Sequence, residues 1–166
     1  MDRRRFLQSS LAASVAAALP ASQAFAALQA LTQVTGDVRA VKGDRSEISL
    51  EKAAEQEQAD SLRGNLLLPR NEGYDVARRD LNNSIDRHPA LIVQPTGVSD
   101  IQNAVTFARE RQLLLAVKCG GHSFAGKSTC DGGMQIDLSL FRNARIDPQS
   151  RTAFVGGGSF MAALDH

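Results

Sequence analysis

The chain has 166 residues, 43% of them hydrophobic and 22% charged, with a formal net charge of +1. This composition suits one ordinary globular domain, and the balanced charge argues against a nucleic-acid-binding protein, which needs a basic face. The two cysteines, Cys119 and Cys130, are too few for a disulfide scaffold and lack the spacing of a C-x-x-C site, so we predict no metal site.

The first 26 residues have the layout of a secretory signal peptide. Arginines at 3–5 precede a short apolar run at 11–19, and Ala24-Phe25-Ala26 offers a cleavage site. The arginines followed by Phe6-Leu7 resemble a twin-arginine signal, with an ordinary secretion signal as the alternative. We therefore expect the twin-arginine export machinery as a partner and a periplasmic or secreted location. No apolar run is long enough to span a bilayer, so we expect no stable membrane anchor.

Residues 27–63 are predicted to form a lead-in and a surface helix. Residues 27–48 are mixed and polar, and we expect them to be mobile. Residues 50–62 are rich in Glu, Ala and Gln, and Gly64 follows in the usual position for a helix stop.

From residue 64 onward the pattern predicts alternating strands and helices. Short apolar runs at 66–68, 90–93 and 113–117 predict strands, of which the last is expected to be buried. Residues 74–79 predict one or two helical turns. Between the last two runs Ser99 is a candidate N-cap, and apolar residues recur at helical spacing up to Ala108. This order indicates a βαβ unit of an α/β layer.

The strand that ends at Val117 leads into a glycine-rich loop over residues 118–133. Glycines after a buried strand allow backbone N–H groups to surround an anion, which predicts a nucleotide or dinucleotide site. Gly121 to Ser128 also matches the P-loop pattern G-x-x-x-x-G-K-[ST], but that motif requires a helix to follow. Asp131-Gly132-Gly133 instead predicts a turn, and 134–138 predicts a strand, so a P-loop NTPase is a minor alternative.

The loop resembles the flavin loop of FAD-linked oxidases of the vanillyl-alcohol oxidase and p-cresol methylhydroxylase family, in particular the berberine bridge enzyme-like subgroup. Segments 89–95, 100–108 and 151–158 also fit that family. The resemblance implies an α+β fold with α/β-like layers, in which residues 64–166 form an incomplete p-cresol methylhydroxylase-type FAD-binding domain. The resemblance rests on the ordered residues Gly120, Gly121, His122, Ser123, Gly126, Ser128, Asp131, Gly132 and Gly133.

The same resemblance assigns roles to residues of the loop. It implies that His122 bonds covalently to the 8α-methyl of FAD, and a neutral imidazole is a suitable nucleophile for that carbon. The alternative is a histidine that only hydrogen-bonds within the loop. The residues expected to line the pyrophosphate or the rest of the FAD are Gly120, Gly121, Ser123, Gly126, Ser128, Gly157 and Gly158.

The resemblance also implies an activity for the intact protein. It would oxidise a small-molecule substrate at an alcohol, hemiacetal or amine carbon by hydride transfer to FAD. Members of the family are much longer, and their substrate domain and general base have no counterpart in these 166 residues. We therefore expect a fragment with no catalytic residue of its own, inactive in isolation. The rival interpretation is a truncated, inert exported domain.

Overall fold

The computed structural model describes residues 37–163, so the predicted signal peptide and residues 27–36 of the lead-in lie outside it. Within this range the chain forms eight short strands, three α-helices and two 3-10 turns. No helix in the described range is long and apolar enough to cross a membrane. In chain order the elements are β1 (Val38–Val41), β2 (Glu47–Leu50), α1 (Lys52–Asp60), β3 (Asn65–Leu67), α2 (Tyr74–Ala77), β4 (Leu91–Gln94), α3 (Val98–Glu110), β5 (Leu115–Lys118), β6 (Met134–Asp137), a 3-10 turn (Leu138–Leu140), β7 (Ala144–Asp147), β8 (Thr152–Val155) and a second 3-10 turn (Met161–Ala163).

The segment expected to be a mobile lead-in contains an antiparallel hairpin, β1–β2, so that prediction is wrong from Val38 onward. Ala40 and Leu50 turn inward and are almost fully buried. The Asp44 carboxylate closes the turn by accepting hydrogen bonds from the Ser46 N–H and hydroxyl. The hairpin forms because its inward side chains pack on the rest of the domain, a long-range effect that the local polar composition does not reveal.

The predicted surface helix is present as α1 but begins later, because Leu50 belongs to β2. One side of α1 is also less exposed than expected. Glu55 and Gln58 are 1% and 2% exposed, and burial raises the pKa of Glu55. The helix therefore packs a polar side chain into the domain instead of lying free on its surface.

A four-stranded sheet in the order β3–β4–β6–β5 forms the centre of the domain. Strands β4, β6 and β5 run parallel, and β3 is antiparallel to β4. The predicted βαβ unit is confirmed as β4–α3–β5, with β6 inserted between its two strands. As expected for central strands, Ile92, Val93, Met134 and Ile136 are at most 1% exposed.

Two local predictions within the βαβ unit are corrected. Strand β5 lies at the sheet edge and alternates: Ala116 and Lys118 are buried, whereas Leu115 and Val117 are 37% and 50% exposed. The N-cap of α3 is Gly97 in extended conformation, and Ser99 lies inside the first turn. Ser99 therefore does not cap the helix.

After β6 the chain forms a second hairpin, β7–β8, just before the glycines at 156–158. All eight of its strand residues are exposed. Strand β7 was missed because Arg145 and Asp147 alternate with Ala144 and Ile146 in a segment too short to stand out. The mixture of parallel and antiparallel strands with helices confirms the predicted α+β class.

Candidate functional site

The glycine-rich loop leaves the carboxyl end of β5 and returns to the neighbouring parallel strand β6. In parallel sheets this edge is where ligands bind, because loops from adjacent strands meet there. Gly121, the buried glycine of the pair, has φ +70°, a left-handed conformation that L side chains rarely adopt. His122 follows and is exposed. The backbone thus turns sharply at Gly121 and presents the imidazole outward.

Gly120 lies next to the His122 ring. A Cβ on Gly120 would lie 2.7 Å from the imidazole Cδ2. Within residues 37–163 the His122 imidazole makes no hydrogen bond with another protein group, and the N–H groups of Gly120, Gly121, His122 and Ser123 donate none. A run of free N–H donors around a left-handed glycine is the geometry that binds phosphate oxygens.

At the far end of the loop, more of the polar groups form hydrogen bonds within the protein. The Gly126 N–H donates to the Ser123 carbonyl, and the Ser123 hydroxyl oxygen accepts from the Lys127 N–H at 2.9 Å. The buried Ser128 hydroxyl donates to Asp80 at 2.6 Å. Of the predicted hydroxyl donors, Ser123 therefore keeps its proton available for a ligand, whereas Ser128 gives its own to Asp80.

Gly157 and Gly158 are brought beside the start of the loop. A Cβ on Gly157 would lie 3.4 Å from the Cys119 sulfur, and a Cβ on Gly158 would lie 1.8 Å from the Leu138 carbonyl oxygen. The chain after β8 can approach this closely only because both residues lack a side chain. The structure thus joins two glycine groups that are far apart in the sequence.

A pocket of about 280 Å³ lies between the two glycine groups. Gly120 and Gly158 line it together with three cationic side chains, those of Arg79, Lys118 and Arg142, which outnumber the one carboxyl group in the lining, that of Asp80. An anionic group such as a pyrophosphate matches this combination of positive charge and exposed backbone. The sequence did not point to Arg79 or Arg142, because they lie in segments without a motif.

Buried polar contacts hold Lys118 at the base of this pocket. Its ammonium group donates to the Ala77 carbonyl and lies 3.8 Å from the Asp137 carboxylate. Asp137 also accepts from the Gln94 amide at 3.0 Å. Asp137 balances the buried charge of Lys118 and therefore has a structural role.

The second cysteine is a poor nucleophile. Cys130 is 5% exposed, and burial raises its pKa to about 11. Its thiol lies 3.6 Å from the Met134 carbonyl oxygen, to which it donates. The thiolate, which is the reactive form, is therefore strongly disfavoured.

The structure also decides against a P-loop. The chain continues from Ser128 through irregular residues into strand β6, not into a helix. A P-loop holds phosphates partly through the N-terminus of the helix that follows it. The match between Gly121 and Ser128 is therefore coincidental.

Comparison with known proteins finds similarity to FAD-binding proteins. The family described as "FAD binding domain" matches residues 89–166. An FAD-linked oxidoreductase of Dictyostelium discoideum is 43% identical over 77 residues, which cover 46% of this chain and 17% of that protein.

Two solved structures share the fold. The crystal structure of 6-hydroxy-D-nicotine oxidase from Arthrobacter nicotinovorans matches 63% of this chain and 23% of its own, with 30% identity and a TM-score of 0.59. The xylooligosaccharide oxidase of Myceliophthora thermophila matches 65% and 23%, with 26% identity and a TM-score of 0.58. The chain spans about a fifth of the length of the curated relatives it matches.

Proposed function

We propose that the chain belongs to the FAD-linked oxidoreductases of the p-cresol methylhydroxylase and vanillyl-alcohol oxidase family, and that it holds FAD through a covalent bond to His122. The observation that carries the proposal is the exposed imidazole of His122, which makes no hydrogen bond to the described residues. A loop histidine with only a structural role would be expected to have a protein partner. A free imidazole beside a phosphate-binding backbone is suited to attack a bound cofactor.

The residues of the pocket fit an FAD pyrophosphate. The free N–H groups from Gly120 to Ser123 would donate to phosphate oxygens, and Arg79 and Arg142 would balance their charge. The close approach of Gly158 keeps the second wall of the pocket free of a side chain. When bound, FAD would supply the oxidised ring that accepts a hydride and an 8α-methyl carbon that would lose a proton as it bonds to His122, the two electrons passing through the ring to oxygen or another acceptor.

The protein contributes position and charge to this chemistry. The backbone turn at Gly121 fixes where the imidazole projects, and the ring lies next to Gly120. A nucleophile carried on a backbone of fixed shape reacts faster than one on a mobile segment, because its position is set before the reaction. Cys130 is not suited to form a second covalent bond to the flavin, because burial disfavours its thiolate.

We extend the proposal to the intact protein as an oxidase or dehydrogenase of a small molecule. The substrate carbon is an alcohol, hemiacetal or amine carbon. Two structural neighbours support this range, since one is named for 6-hydroxy-D-nicotine and the other for xylooligosaccharides. The alternative remains a truncated, inert exported domain. Residues 1–26 support export through the twin-arginine machinery to a periplasmic or secreted location.

The test is the mass of the intact, denatured protein purified from its native host. We expect an excess equal to one FAD, located by peptide mapping to the segment that contains His122, and a chain start at Ala27. The variant His122→Ala should lose the covalent excess and still bind FAD reversibly. His88→Ala is the matched control, because His88 is also exposed and also lies in a loop.

Each outcome selects between the alternatives. A covalent excess that persists in His122→Ala would place the attachment elsewhere. A mass with nothing added, together with no FAD bound in the native state, would favour the inert domain. Oxidation of a panel of alcohols, sugars and amines by the FAD-loaded intact protein then tests the activity itself.

A further inference from the structure

We infer that Asp80 is a positioning residue that holds the flavin loop in the conformation needed for attachment of FAD to His122. The flavin loop is here residues 120–129, and the segment 80–87 that packs along it is called the clasp. The inference rests on the proposed role of His122. Asp80 itself lies in a segment in which the sequence contains no recognisable motif.

The clasp follows the flavin loop residue by residue. The Leu81 N–H donates to the Gly121 carbonyl at 2.9 Å, and the Asn82 side-chain amide donates to the Phe124 carbonyl at 3.0 Å. Ile85 packs against Gly126 so closely that a Cβ on Gly126 would lie 2.8 Å from the Ile85 Cγ2. The two segments therefore lie in register over most of the loop.

Arg87 closes the far end of the clasp. Its guanidinium donates to the carbonyls of Gly126 and Thr129, both at 3.0 Å. These partners are 39 and 42 residues away in the sequence. The shape of the flavin loop is thus imposed by contacts distant in the chain and not by the loop sequence alone.

Asp80 lies beside both ends of the loop and is hydrogen-bonded to one of them. One carboxylate oxygen accepts the Ser128 hydroxyl at 2.6 Å. The same oxygen lies 3.4 Å from the position that a Cβ on Gly121 would occupy. His122 lies between Ser128, which is bonded to Asp80, and Gly121, whose carbonyl accepts from the N–H of the adjacent Leu81. The carboxylate therefore fixes the span of backbone that carries the imidazole.

Stability alone does not account for a carboxylate at this position. Asp80 is 6% exposed, and its second oxygen has no hydrogen-bond partner among the residues that the structure describes. A buried acceptor without a partner carries a desolvation cost that an apolar side chain of similar size would avoid. Buried polar groups without a hydrogen-bond partner are characteristic of functional sites. Asp80 acts on His122 through Gly121 and Ser128, so we assign it a positioning role.

The first experiment measures hydrogen–deuterium exchange in the peptide that covers 119–129 of the intact protein. Asp80→Ala should raise its exchange rate roughly ten- to a hundredfold, the effect of losing a hydrogen bond to a charged group. Ser128→Ala removes the same bond from the other side and should change exchange in the same direction. Asp80→Asn keeps an oxygen that can accept the Ser128 hydroxyl, so it should stay close to wild type.

Asp147→Asn is the matched control for loss of a carboxylate. Asp147 accepts backbone hydrogen bonds from Gln149 and Ser150 in the β7–β8 turn, outside the clasp. It should leave exchange in 119–129 unchanged. If Asp80→Ala raises exchange throughout the protein and thus disturbs the whole fold, Ser128→Ala decides the question. Unchanged exchange in both variants overturns the inference.

The second experiment measures the rate of covalent FAD incorporation into protein purified without flavin. We expect Asp80→Ala to slow incorporation at least about tenfold at saturating FAD, and Asp80→Asn to restore it. Increased exchange with an unchanged incorporation rate would limit Asp80 to a structural role and overturn its positioning role. If wild-type protein never forms the covalent bond, the proposed role of His122 fails, and with it attachment as the purpose of the clasp. The exchange data then still decide whether Asp80 orders the loop.

Discussion

The carboxylate of Asp100 accepts a hydrogen bond from the backbone N–H of Gly64 at 3.2 Å, across 36 residues of sequence. It also accepts from the Arg63 N–H at 3.1 Å and from the Thr96 N–H and hydroxyl. One buried side chain in the first turn of α3 thus ties the helix to the loop before β3. The same geometry places the negative charge at the helix N-terminus, where it is favourable.

Replacement of Asp100 by Asn should lower the free energy of unfolding by about 2–4 kcal/mol near neutral pH, because several hydrogen bonds to a buried charge are weakened. Asp60→Asn is the control, since Asp60 is exposed at the end of α1 and should change stability little. Urea unfolding of the intact protein measures both. Equal losses in the two variants would contradict the assigned role of Asp100.

The pH dependence of stability should also change in Asp100→Asn. Burial raises the pKa of Asp100, but the hydrogen bonds from Thr96, Arg63 and Gly64 outweigh it, so the pKa lies below 3.8. A carboxyl whose folded pKa is lowered stabilises the fold above its unfolded pKa, and the contribution disappears as pH falls through the folded value. The wild-type protein should therefore lose the stabilisation that the Asp100 carboxylate provides as the pH falls below about 4. The difference between wild type and Asp100→Asn should shrink there.

The only tyrosine of the chain, Tyr74, offers a spectroscopic test of the core. Its side chain is 2% exposed, its hydroxyl donates to the Pro89 carbonyl at 2.6 Å, and burial raises its pKa to about 12. Tyr74→Phe should cost roughly 1–2 kcal/mol, because the Pro89 carbonyl loses its donor. The stabilisation should be complete below about pH 10 and lost as pH rises through the folded pKa.

The difference in ultraviolet absorbance between wild type and Tyr74→Phe isolates this titration. A tyrosinate signal that appears near pH 10 in the folded protein would contradict the burial of Tyr74. The same measurement in urea provides the reference, since the unfolded chain should titrate at the ordinary value.

The sequence was sufficient for the elements whose signal is local. Strand β4 is an apolar run closed by Pro95, β6 follows the turn at Gly132-Gly133, and α3 has apolar residues at helical spacing, so their types were predicted. The glycine loop was recognised because its residues stand in a fixed order around His122. These features depend on neighbours in the chain, which is why a sequence reveals them.

The rest of the site depends on partners distant in the chain. Nothing in the sequence around Arg79 or Asp80 marks them as neighbours of the glycine-rich loop, since Arg79 meets Gly120 at the pocket and Asp80 meets Ser128 only in the folded chain. Likewise, the exposure of Val117 follows from the position of β5 at the sheet edge. The order of strands in a sheet is a tertiary property, and short apolar runs of similar composition do not encode it locally.

The close approach of Gly158 to Leu138, on the side of the pocket opposite the flavin loop, can be tested by substitution. Gly158→Ala should disturb this wall, because its Cβ would lie 1.8 Å from the Leu138 carbonyl oxygen. Backbone atoms cannot move aside cheaply, so we expect a loss of roughly 2 kcal/mol or more in stability and weaker FAD binding. Gly43→Ala is the control, because its nearest atom would be 3.9 Å away. Flavin content and thermal unfolding measure both, and equal behaviour of the two variants would refute the contact.

The two cysteines should differ sharply in reactivity with a maleimide near pH 7.5. Cys119 is exposed at the pocket that Gly120 and Gly158 line, whereas Cys130 is buried with a pKa raised to about 11. We expect Cys119 to react at least about tenfold faster in the native protein, since reaction requires an accessible thiolate. Cys130 should react only after unfolding.

Bound FAD should protect Cys119, because the pocket proposed for its pyrophosphate includes this residue. The variants Cys119→Ser and Cys130→Ser assign each label, and mass spectrometry of the labelled peptides gives the rates. Protection of Cys119 by FAD but not by free riboflavin would place the pyrophosphate at this pocket, since riboflavin lacks the phosphates. Equal protection by FAD and riboflavin would show that the pyrophosphate binds elsewhere. No protection by either would show that this pocket does not bind the cofactor.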